Sequence, residues 1–94
     1  MTAAVKTIRR CFTVGKHRAV LSVQLAAGVP TGVEVLWDRD KPPRLSSAEL
    51  QRYRRLRNAI LKSVATELGN AVMVVDVDGG RLMPTVIQPE TAPQ

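Results

Sequence analysis

Residues 45–69 read LSSAELQRYRRLRNAILKSVATELG, and this stretch decides the fold class. Ser46 and Glu49 have the S-x-x-E spacing of a capping box, in which each side chain satisfies a backbone N–H of the other residue. Leu45 and Leu50 occupy the two positions of a hydrophobic staple around that cap. Gly69 supplies the left-handed stop after Leu68. Between the caps Leu50, Tyr53, Leu56, Ile60, Leu61, Val64 and Leu68 recur at helical spacing and form one apolar stripe. The pattern predicts one long helix whose opposite side carries Arg52, Arg55 and Lys62, with Gln51 and Asn58 beside them.

Arg57 breaks the pattern, because helical geometry places it among Leu50, Tyr53, Leu61 and Val64. Three explanations are open. The side chain snorkels past the sheet edge to water, it meets a carboxylate such as Asp76 or Glu34, or part of the stripe is an interface. Asp76 is the expected partner, since it shares strand parity with Val72 and Val74 and needs a partner if partly buried.

Upstream of the helix the period changes from 3.6 to 2. Residues 6–14 place Ile8, Arg10, Phe12 and Val14 on one face, and residues 17–25 place Ala19, Leu21, Val23 and Leu25 on one face. Gly15 and Lys16 suit a type II′ turn. That two-residue loop pairs Val14 with His17 and Phe12 with Ala19, so both apolar sets land on the same side, which supports the hairpin. Residues 27–30 read as a loop, and a third strand is expected at 31–38 with Val33, Val35 and Trp37 inward and Glu34, Leu36 and Asp38 outward. Residues 40–44 hold two consecutive prolines and form a stiff connector.

Downstream, residues 71–77 are nearly continuously apolar, as expected of a strand buried on both faces or central in its sheet. Asp78, Gly79 and Gly80 signal a turn. Residues 81–88 form the last strand, with Pro84 favouring an edge position or a bulge. The expected architecture is α+β in the order β-β-β-α-β-β, a mixed five-stranded sheet with the helix on one face and a parallel crossover from the third strand to the fourth. A single domain over residues 1–88 is expected, followed by a disordered C-terminal tail at 89–94.

Composition bounds the function. The chain has 94 residues, enough for one domain, and only Phe12, Trp37 and Tyr53 are aromatic, so the core rests on aliphatic side chains and is thin. One cysteine, Cys11, excludes an internal disulfide and fits a reducing compartment. The longest apolar run, residues 71–75, falls far short of the roughly 20 residues a membrane span requires. The N-terminal residues lack the apolar stretch of a secretory signal. A cytoplasmic location and no membrane association are expected.

Chemistry-bearing motifs are weak. The Asp76 to Gly80 segment resembles the start of a calcium loop but lacks its later ligands, and a hairpin turn explains it. His17 and Cys11 are not placed as a base and nucleophile, and no P-loop, dinucleotide turn or Cys/His metal spacing occurs. The chain is therefore read as non-catalytic, with no metal and no cofactor. The net charge of +6 points instead to a polyanion. The first 33 residues contain five Lys and Arg and no acid. The expected function is a small basic binding module contacting DNA or RNA through Arg52, Arg54, Arg55 and Lys62 on the helix and Lys16 and Arg18 on the hairpin. The alternative is a protein-interaction or homodimerisation module using the uncovered sheet face, where Cys11, Val20 and Leu36 lie.

Overall fold

The computed structural model describes residues 5–90. Its elements are β1 (Val5–Val14), β2 (His17–Ala26), β3 (Val29–Trp37), α1 (Ser47–Leu68), β4 (Val72–Asp78) and β5 (Arg81–Ile87), the α+β order expected. Both ends of α1 follow their sequence signals. The Glu49 N–H donates to Ser46 Oγ at 3.2 Å and the Ser46 N–H donates to Glu49 Oε1 at 3.0 Å. Gly69 takes φ 67°, and the N–H groups of Gly69 and Asn70 donate back to the carbonyls of Thr66 and Ala65.

The β1 and β2 register is the one the Gly15 turn dictates, with Val14 opposite His17 and Phe12 opposite Ala19. The second turn is tighter than a loop over 27–30. Ala27 and Gly28 alone connect β2 to β3, both at positive φ (52° and 79°), the type I′ pattern. β3 therefore starts at Val29, and Pro30 is tolerated because β3 is an edge strand with a register shift opposite Gln24 and Leu25. Thr31 lies at this irregularity, and its hydroxyl donates to the Gln24 carbonyl at 3.2 Å. An alanine at positive φ costs about 1 kcal/mol relative to residues that accept that conformation. Ala27→Asn should accordingly raise stability by about 1 kcal/mol, read as a higher denaturant midpoint at unchanged slope.

The expected five-stranded sheet is not formed. β1, β2 and β3 make one antiparallel sheet in that order, and β4 and β5 make a separate antiparallel ribbon. β4 comes alongside β3 without joining its ladder, so the parallel crossover is absent. Alternating hydrophobicity reports which face of a strand is covered, and carries no information on which backbone edge is hydrogen-bonded. Each group of strands is closed by two-residue turns that satisfy its own ladder locally, and the two groups meet through side chains.

They meet in one core. Val14, Ala19, Leu21, Val23 and Leu25 from the sheet pack with Leu61, Val64 and Ala65 from α1 and with Val72 and Val74 from β4. Phe12, Trp37 and Tyr53 close one end of this core, with ring centroids 5.4–6.4 Å apart. β4 is covered on one face only and has a single ladder partner, so it is neither buried on both faces nor central in its sheet as expected. Val72 and Val74 are buried, while Met73, Val75 and Val77 are exposed. The near-continuous apolar run thus comes from a half-covered ribbon. The tail expected at 89–94 lies outside the described residues from position 91. Glu90 is described, and its N–H donates to Thr66 Oγ1 at 2.9 Å.

Candidate functional site

The six basic residues expected to form a site divide into three groups. Arg52, Arg55 and Lys62 are exposed on the outer side of α1. The helix stripe explains this, because the residues that meet the core, Arg57, Leu61, Val64 and Ala65, point the other way. Lys16 and Arg18 are exposed at the tip of the first hairpin. Arg54 is half-buried and turned inward, with Nε 3.9 Å from Asp76 Oδ1 and outside hydrogen-bond reach of it.

The hairpin tip lies at the N-terminal end of α1. A Cβ built on Gly15 would stand 3.3 Å from Glu49 Oε2, so the β1–β2 turn abuts the capping box. His17 and Arg52 both lie close enough to Glu49 to help hold its carboxyl below the usual range, after the larger effect of its hydrogen bonds with Ser46. Two basic clusters that are far apart in sequence therefore adjoin at one end of the molecule. Lys16, His17 and Arg18 line a depression there with Asp38 and Arg39. Arg39 was not among the residues expected. It is brought in by the β2 and β3 register, which sets Ala19 against Trp37 and lets the Asp38 N–H donate to the Arg18 carbonyl at 3.0 Å.

Arg57 is a different matter. Its side chain is 3% exposed and makes a two-pronged ion pair with Asp76, Nη1 to Oδ1 at 2.6 Å and Nη2 to Oδ2 at 2.9 Å. Nε and Nη2 also donate to Asn58 Oδ1 at 3.1 and 3.0 Å, and the guanidinium carbon stands 5.4 Å from the centroid of the Tyr53 ring. Of the three explanations open in the sequence, the carboxylate partner is the one formed, and Glu34 is not involved. The hydrogen bonds from Arg57 hold the Asp76 carboxyl below its ordinary value against the opposing effect of burial, and those with Asp76 raise Arg57 in return. This group fastens β4 to α1. Its donors and acceptors are turned toward one another, so it offers a ligand little.

Two further surfaces are open to solvent. On the outer face of the three-stranded sheet Cys11, Val20 and Leu36 form one cross-strand row. Arg9, Ser22 and Glu34 form the next row along, with Ser22 buried. Arg9 and the Cys11 row line a shallow depression of about 870 Å³ with Arg18 and Asp38. Cys11 lies on this face, whereas the pairing of His17 with Val14 puts His17 on the other. On the β4–β5 ribbon the face turned from the core is apolar throughout, which sequence reasoning missed. The signal was present in the register. A two-residue Gly79-Gly80 turn pairs Val77 with Leu82, Val75 with Pro84 and Met73 with Val86, all on one side. Among the described residues no group of three or more His, Cys, Asp or Glu side chains gathers as a metal site would require, and no helix is long and apolar enough to cross a membrane. Comparison of the chain with protein-family models, curated proteins and solved structures finds no significant match.

Proposed function

We propose that this chain is a small non-catalytic binding module that contacts a nucleic acid through its basic end. The observation that carries the reading is the junction of the hairpin tip with the start of α1, where Lys16, Arg18, Arg39 and Arg52 share one end of the molecule. Arg55 and Lys62 continue the row along the exposed side of the helix for nearly three more turns. A row of this kind suits a phosphate backbone, where each neutralised phosphate adds affinity by releasing counterions and needs no base recognition. The three aromatic rings are packed on one another and none lies in the basic row, which favours a duplex over an unstacked single strand. Glu49 stays ionised at this end, held so by its hydrogen bonds with Ser46, and offsets one of these positive charges.

Anisotropy titrations with a labelled random duplex at several salt concentrations test the reading. The Arg52, Arg55 and Lys62 triple alanine variant should bind more weakly to every sequence alike. Its log–log salt slope on duplex DNA should be flatter by about 0.9 for each phosphate that the variant leaves unneutralised. No binding by the wild type at low salt, or an unchanged slope in the variant, would refute it. Arg54→Ala should leave both quantities nearly unchanged, since that side chain is turned toward Asp76.

A further inference from the structure

The ribbon face turned away from the core carries Met73, Val75, Val77, Leu82, Pro84 and Val86, and all six are exposed. Exposure reaches 65% at Val77 and 73% at Leu82, so these side chains are not grazing the core but standing clear of it. Together they present roughly 500 Å² of apolar surface, the upper range for the largest such patch on a soluble monomer. No charged or hydrogen-bonding side chain interrupts it. A two-stranded ribbon is also marginal by itself and needs a covering layer. α1 and the sheet cover its inner side at Val72, Val74 and Ile87 and leave the outer face bare.

We propose that this face docks on the same face of a second copy of the chain, forming a two-fold dimer in which the ribbons stack face to face. Three features select that occupant. The face is self-complementary, since apolar meets apolar and no like charges are brought together despite the net charge of +6. Its three cross-strand pairs are disposed evenly about the central Val75 and Pro84 pair, which gives a two-fold axis a natural position. Two copies would remove at most roughly 1,000 Å² of apolar surface from water, the threshold for a biological interface and below the standard size, as fits a micromolar dimer. Edge-to-edge joining is disfavoured, because Pro84 at the middle of β5 has no N–H to offer an added strand. A nucleic acid has no use for this face, so the dimer is independent of the proposed polyanion site.

Sedimentation velocity on the full chain, from about 1 to 100 μM at 0.15 and 1 M NaCl, is the test. The expected result is a monomer–dimer equilibrium in the micromolar range that is maintained or strengthened at high salt, as for apolar association. Val75→Lys places two like charges near the axis and should weaken the dimer by about 30-fold or more, the effect of losing a central interface residue. Leu82→Lys, at the most exposed position, should act in the same direction and cannot disturb the core. Val20→Lys on the three-stranded sheet should leave the dimer intact. Circular dichroism of each variant reports its fold. A wild type that stays monomeric to 100 μM overturns the proposal, as does a dimer that survives both ribbon variants or is broken by Val20→Lys. Dissociation at 1 M salt would also overturn it, showing instead a charge-mediated association through the basic end.

Discussion

Arg57→Ala should destabilise the domain by about 3–5 kcal/mol, the usual consequence of removing one partner from a buried ion pair. The whole stability of a domain this size is about 5–14 kcal/mol, so the unfolding midpoint should fall sharply. The cost arises because Asp76 would keep its charge at neutral pH without the two hydrogen bonds that now hold it. Two features set the loss toward the lower end. Asp76 retains some access to water, and Arg54 already stands 3.9 Å away and can turn in. Arg57→Leu should cost less, since leucine suits the surrounding stripe although Asp76 still lacks its partner. A double-mutant cycle between Arg57 and Asp76 isolates the pair, and a coupling energy indistinguishable from zero would dispose of it.

The same pair gives a pH dependence whose sign follows from the direction of its shift. The carboxyl of Asp76 titrates lower in the folded chain than in the unfolded one. Its contribution is therefore fully present above the ordinary carboxylate range and is lost as pH falls through that range toward the depressed folded value. Wild-type stability should drop below about pH 4, and Asp76→Asn, less stable at pH 7, should show a flatter acid limb. Denaturant midpoints between pH 7 and 2.5 measure both. A variant limb as steep as that of the wild type would assign the acid sensitivity to other carboxylates.

Leu61→Ala is the second large effect, at about 2–5 kcal/mol. Leu61 is completely buried in the layer where residues of the sheet, α1 and β4 come together. Its neighbours belong to three separate elements and cannot all close the cavity at once, so the loss should lie in the upper half of that range. Leu56→Ala, on the same helix but substantially exposed, should cost under about 1 kcal/mol. Equal losses at the two positions would contradict the placement of the helix stripe.

Individual elements were legible in the sequence where the controlling interactions are local. The capping box, the Gly69 stop and the Gly15 turn each depend on residues within a few positions, so the letters suffice. Asp76 was legible as the partner of Arg57 because helical angle and strand parity each place a charge on a covered face, and two such charges of opposite sign need one another. The strand faces of β1 and β2 followed from alternation once turn length had set their register, and that of β3 from alternation alone.

Sheet composition was not legible in this way. A strand's alternation shows that something covers it, and the cover on β4 proved to be α1 and the core of the neighbouring sheet, not a ladder with β3. The apolar run at 71–77 looked like two-sided burial because sequence cannot distinguish a covered face from an apolar face left open. Likewise the sequence put Arg54 at the border of the outer sector that holds Arg52, Arg55 and Lys62 and counted all four as available cations. Only the packing of the whole chain turned Arg54 toward Asp76 and brought Arg39 beside Lys16 and Arg18. The order of letters alone thus specifies the elements, the caps of the helix and the inward side of β1, β2 and β3, because those depend on backbone geometry over a few residues. Which edges pair, which cations stay available and which apolar face is left bare depend on how distant segments share one small core, and these are settled only when the chain closes on itself.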